Sequence, residues 1–209
     1  MRRFLLFFTV GVIALSVLFI IVPFGYAQRQ SDSIAGKIVR LHVIANSDSE
    51  ADQHLKLAVR DSILGMTADL TEECNNSTEA RAVIGENLSL LEDSAKKVIS
   101  KSGYSYVVSA ELSDEYYPTK EYEGMRLPAG VYSSLRIKIG SAQGHNWWCV
   151  IFPPVCKSSA KADEELAEVG FTPNQVRLLT DDEDTHYVIR FRLIEAVSEI
   201  KERIRSFFR

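Results

Sequence analysis

The chain has 209 residues, 46% of them hydrophobic and 25% charged, with 28 acidic side chains against 24 basic ones. That is the make-up of a folded globular protein with room for a sizeable core, which excludes disorder as its main theme. With Arg2 and Arg3 set aside, 22 basic residues face 28 acidic ones, a balance of −6, and no basic tract is dense enough to follow a phosphate backbone, so nucleic acid is not an expected partner.

Met1-Arg2-Arg3 precedes the uncharged run FLLFFTVGVIALSVLFIIV, residues 4–22, followed by PFGYAQ. Basic residues ahead of an apolar run hold the chain end on the cytoplasmic side while the run enters the translocation machinery. Gly25-Tyr26-Ala27 supplies small residues at the −3 and −1 positions of a cleavage site after Ala27. The run also approaches the ~20 residues that span a bilayer. Residues 1–27 are therefore expected to be a signal peptide, with a retained anchor as the alternative. Either way the rest of the chain lies outside the cytoplasm. Residues 28–36, QRQSDSIAG, read as a polar linker, and 37–209 as a single extracytoplasmic domain.

Within that domain KIVRLHVI predicts a largely buried strand ended by Asn46-Ser47-Asp48. Ser49-Glu50-Ala51-Asp52 reads as a helix start: the Ser49 hydroxyl accepts from first-turn amides, and Glu50 and Asp52 sit where the helix dipole favours negative charge. Leu55, Val59, Ile63 and Met66 form its apolar face. A polar break, EECNNST, precedes a second helical run from about Thr78 to Gly103, with the stripe Ile84, Leu88, Leu91, Ala95 and Val98. The period then changes. YSYVVSAEL, SLRIKIG and HNWWCVIF are strand candidates, the last ended by Pro153-Pro154, which lack the amide donors a ladder needs. KSSAKADEELAEVG suggests a short helix or loop with a glycine stop. VRLLT and THYVIRF read as further short strands around the acidic turn 181–184, and residues 193–209 as a closing amphipathic helix. The fold class is α+β: one mixed domain of several short strands and about three to four helices after the export segment.

No phosphate loop, dinucleotide-binding loop, nucleophile elbow or zinc-protease helix motif is present, and His42, His54, His145 and His186 fall in separate elements. His42 in a strand is read first as a core or ladder residue. His145, Cys149 and Cys156 suit zinc by residue type, but H-x3-C-x6-C lacks the usual knuckle spacing. In an exported chain a Cys149–Cys156 disulfide is the preferred reading, with Cys74 left over. Asn46, Ser47, Asp48 and Ser49 beside His42 have the polarity of a hydrolytic centre, yet turn and cap duties account for each. No metal, cofactor or catalytic residue is expected, and the domain is read as not an enzyme. A hydrolase of cell wall or peptide built around His42 is the alternative.

Two long segments, VRLHVIANSDSEADQHLKLAVRDSIL at 39–64 and LPAGVYSSLRIKIGSAQGHNWWCVIFPPVC at 127–156, closely resemble the stage II sporulation protein R family of endospore-forming bacteria. The resemblance implies a signalling protein made in the forespore and exported into the space between the two septal membranes. There it would trigger a membrane-embedded aspartic protease of the mother cell, which removes the pro-sequence of the sigma-E precursor. It implies no catalytic residues in this chain. A trigger must bind one state of its receptor better than the other. Trp147 and Trp148, with His42, Asn46 and Asp48, are the candidate partner-contacting residues. Strand alternation puts His145, Trp147, Cys149 and Ile151 on one side and Asn146, Trp148, Val150 and Phe152 on the other, so one tryptophan is expected in the core and its neighbour at the surface.

Overall fold

The structure is a computed structural model that describes residues 2–122, 125–154 and 162–180. Its elements run in the order α1 (Arg2–Ala35), β1 (Val39–Ile44), α2 (Glu50–Thr71), α3 (Ser77–Glu86), α4 (Leu88–Lys101), β2 (Val108–Tyr117), β3 (Lys120–Tyr122), β4 (Met125–Leu127), β5 (Gly130–Ile139), β6 (Asn146–Phe152), α5 (Ala162–Glu168) and α6 (Pro173–Thr180). Four strands make one mixed sheet in the order β2-β5-β1-β6, and β3 and β4 pair as a separate hairpin. β1 runs parallel to β5 and antiparallel to β6. The architecture is mixed α+β, as the sequence patterning predicts.

All six residues of β1 are buried, because both faces of the sheet are covered. Val39, Leu41 and Val43 meet Leu55, Val59 and Ile63 of α2 and Ile84, Leu91, Ala95 and Ile99 of α3 and α4 in one core. On the opposite face Ile38, Tyr117, Tyr132 and Val150 pack with Ile34 and Ala35 of α1, Met125 and Leu127 of β4, and Leu166, Phe171 and Leu179 around α5 and α6. β1 is thus the middle of three layers. The Ser49 side chain caps α2 by accepting from the Asp52 amide, and the apolar face Leu55, Val59 and Ile63 is buried as its spacing requires.

Several elements differ from the sequence expectation. Of residues 28–36, expected to be a linker, 28–35 are the final turns of α1, which packs rather than dangles: Ser31 is buried and donates to the Ala129 carbonyl (2.8 Å), and Ile34 is fully buried. Among the described residues no helix is long and apolar enough to cross a membrane. Among the described residues five helices follow α1 rather than three or four, for two reasons. The long second run breaks at Asn87 (φ −108°, ψ 16°), which ends α3 and begins α4. VRLLT, expected as a strand, is α6: Pro173 opens it, Thr172 Oγ1 accepts from the Gln175 amide (3.3 Å), and Gln175 Oε1 accepts from the Thr172 amide (3.1 Å), a reciprocal cap that overrides the β-branched look of the segment. Val169 and Gly170 (φ 87°) end α5 at the expected glycine stop. THYVIRF, the acidic turn and the closing helix lie outside the described residues.

Candidate functional site

Alternation along β1 leaves Arg40 and His42 on the face turned away from α2, and both are buried. Register fixes what they meet. His42 lies opposite Arg136 of β5 and Trp148 of β6, while β2 brings Glu115 opposite Tyr132 and Tyr117 opposite Gly130. His42 Nδ1 lies 3.0 Å from Glu115 Oε1, and its ring lies 5.9 Å from Trp148 and 6.5 Å from Tyr117. Glu115 also accepts from the Tyr117 hydroxyl (3.2 Å) and lies 3.7 Å from Arg136 Nε. Burial by itself would raise the Glu115 carboxyl, but the His42 hydrogen bond, the His42 charge and Arg136 outweigh it and hold the group below its usual value.

The Arg40 guanidinium lies 3.8 Å from the centroid of the Tyr117 ring, with Tyr132 at 5.0 Å and Tyr122 of β3 at 5.7 Å. Its Nη2 donates to the Tyr122 hydroxyl. Tyr117 Oη and Ser134 Oγ share a 2.6 Å hydrogen bond, both groups buried. Burial pushes the Tyr117 phenol far above its ordinary value. The Tyr122 phenol is raised by burial too, with Arg40 only partly opposing. Both phenols therefore stay neutral at physiological pH.

A second polar cluster sits where β1 gives way to α2. Asp52 Oδ2 accepts from Asn46 Nδ2 (2.8 Å) and Ser47 Oγ (2.5 Å), and these bonds hold its carboxyl below the usual range. Asn46 also receives the Ser141 amide on Oδ1 (2.9 Å) and the Ser141 hydroxyl on its carbonyl (2.7 Å), which ties the β5–β6 turn to the end of β1. Asp48 accepts from the His145 amide (2.6 Å) and pairs with the His145 ring, and that amide bond lowers its carboxyl most. Lys56, buried on α2, donates to the His145 carbonyl (2.9 Å) and Gln53 Oε1 (2.6 Å). This cluster has the geometry of a clamp: it fixes the turn that presents β6.

Of the expected contact residues, His42 and Trp148 are thus together on one face, and Asn46 and Asp48 are together in the turn clamp. Trp147 stands apart on the other side of β6. It is 38% exposed, with the Arg60 guanidinium 4.4 Å from its ring. Trp148 is half-buried, with Lys120 Nζ 5.1 Å from its ring. Cys149 is buried and Cys74 is a free thiol. Cys156, the other half of the expected staple, lies outside the described residues. Among the described residues no three His, Cys, Asp or Glu side chains are placed to hold a metal ion. Sequence reasoning missed Arg40, Glu115, Tyr117, Tyr122, Tyr132 and Ser134. The available signal was a charged Arg40 inside an apolar strand, two positions from His42 and so on its face.

No solved structure matches the chain. A protein of Bacillus subtilis (strain 168) named stage II sporulation protein R is 36% identical over 159 residues, covering 75% of this chain and 71% of that relative. The family model described as stage II sporulation protein R matches residues 35–162, a span that takes in β1, the α2–α4 layer, the whole sheet and the start of α5. The chain belongs to the stage II sporulation protein R family and has its role in sporulation.

Proposed function

We propose that this chain is the exported signal of its family: a domain that crosses the forespore membrane and activates a membrane-embedded aspartic protease in the neighbouring compartment, leading to processing of the sigma-E precursor. Family membership carries the reading. The structure adds physical support. Phe7, Phe8, Val10, Val12, Leu15 and Val22 along α1 are exposed, whereas burial against the domain begins at Ala27 and continues through Ser31, Ile34 and Ala35. Exposed apolar side chains along such a segment suit a membrane or removal by a signal peptidase. Trp147 offers a large, part-exposed aromatic anchor on a strand held rigidly by the Asn46 and Asp48 clamp, and such aromatics dominate binding energy at protein interfaces.

The test mixes the exported domain with membranes bearing the protease and the sigma precursor. Processing is expected, with a lower yield for Trp147→Ala. No processing by a domain shown to be folded would overturn the reading. One observation favours the second reading, a hydrolase: Glu115 orients the His42 ring as a partner orients a catalytic base. Its burial argues the other way, since His42 Nε2 is shut off from solvent and has no hydrogen-bond partner among the described residues. Receptor-independent hydrolysis abolished by His42→Ala would establish that alternative.

A further inference from the structure

Arg40 is fully buried, yet Nε and Nη1 of its guanidinium have no hydrogen-bond partner among the described residues. An arginine does not shed its charge inside a protein. Burying a cation without a counter-charge is costly, and each unmet donor adds to the cost. The β2 carboxylates of this face are committed elsewhere: Glu115 to His42, Tyr117 and Arg136, and Glu111 to Arg136 and Lys138 (3.0 and 2.8 Å). Among the described residues none pairs with Arg40. The rings of Tyr117, Tyr122 and Tyr132 attract the cation through their faces, but the two raised phenols bring no negative charge. His42, two residues along the same face, is likewise buried with Nε2 unmet. Arg40 thus stands with two donor nitrogens unmet, beside His42, in a tyrosine-lined interior.

We infer that Arg40, with His42 beside it and Tyr117, Tyr122 and Tyr132 around it, binds a compact monovalent anion, of the class of chloride or a small carboxylate. The anion supplies the counter-charge and the acceptor that the chain's own described groups do not. The role is distinct from receptor contact: it makes the fold's stability depend on the anion.

The test is thermal melting of the full chain in non-ionic detergent, at fixed pH and ionic strength, with a bulky sulfonate exchanged stepwise for chloride or for acetate. A ligand that binds only the folded state raises the melting temperature with the logarithm of its concentration once the site is saturated. The expected result is such a rise in at least one arm for the wild type and its loss in Arg40→Met, with the steeper arm telling halide from carboxylate. A melting temperature indifferent to both anions overturns the inference, as does an equal rise in Arg40→Met. Should Arg40→Met fail to fold, Tyr122→Phe decides. Removing the hydroxyl that accepts from Nη2 leaves a third donor unmet and should steepen the anion dependence, and an unchanged slope overturns the inference.

Discussion

The hydrogen bond between Tyr117 and Ser134 gives the most direct test of the buried polar face. In Tyr117→Phe the ring that stacks on Arg40 is kept, and only the hydroxyl is lost. Ser134, fully buried, then loses its 2.6 Å partner, and an unsatisfied buried hydroxyl costs about 1–3 kcal/mol. Glu115 loses the 3.2 Å contact from Tyr117 but keeps His42 and Arg136, which adds little. Ser134→Ala is milder, because the Tyr117 hydroxyl still donates to Glu115, and about 0.5–1.5 kcal/mol is expected. The double variant removes both partners at once and should be no worse than Tyr117→Phe alone, giving a coupling of roughly 0.5–1.5 kcal/mol. Urea unfolding followed by tryptophan fluorescence measures all four, since Trp148 lies 6.1 Å from the Tyr117 ring. If the double variant loses the sum of the two single losses, the hydroxyls are independent and the network reasoning fails.

Glu115 should also confer a pH dependence. Its folded-state value lies below the ordinary one, so its stabilisation is fully present above the unfolded value of about 4.3 and is lost as pH falls through the folded value. The melting temperatures of wild type and Glu115→Gln should therefore converge on acidification below that range, and a gap independent of pH would count against the ion pair. Gly144→Ala places a Cβ 2.2 Å from the Ser47 carbonyl oxygen and 2.6 Å from its carbon. Backbone must shift, at a cost of about 1–3 kcal/mol, and an unchanged melting temperature would show that the turn clamp is loose. The Cys149–Cys156 staple is proposed to stabilise by roughly 2–3 kcal/mol, as expected for a short closed loop. The exported protein should gain two hydrogens in mass on reduction, and an unchanged mass removes the staple.

What was legible in the sequence follows from range. The β1 strand, the Ser49 cap and the Leu55, Val59 and Ile63 stripe depend on neighbours a few residues apart, and all three stand in the structure. The break at Asn87 was hidden because the apolar stripe runs on through it. Its local mark is the Asn87 side chain donating to the Val83 carbonyl (2.8 Å), in competition with the helix. The α6 cap was present as Thr172-Pro173-Asn174-Gln175 and was overlooked because VRLLT has the composition of a strand. Alternation along β6 separates Trp147 from Trp148, but only the layers packed on each face determine that Trp147 is the more exposed. The Arg40 cage draws on β1, β2, β3 and β5, with Tyr122 some 82 residues from Arg40. No local pattern encodes such a meeting.

That difference in range has a consequence for how the signal is built. The Asn46 and Asp48 clamp fastens the end of β1 to the β5–β6 turn through hydrogen bonds that reach 95 and 97 residues along the chain. The same strand carries Arg40 and His42, so β1 joins the clamp that presents Trp147 to the buried cationic face beneath Trp148. A partner that binds one state of a rigid ligand gains affinity from every contact already fixed before binding. Loosening the clamp should therefore weaken activation even where the Trp147 anchor itself is untouched. Asp48→Ala, which removes the acceptor of the His145 amide, should lower processing while leaving the Trp147 side chain intact. Equal processing by Asp48→Ala and wild type, with a loosened β5–β6 turn confirmed by faster amide exchange at His145, would refute the idea that rigidity of β6 matters to the signal.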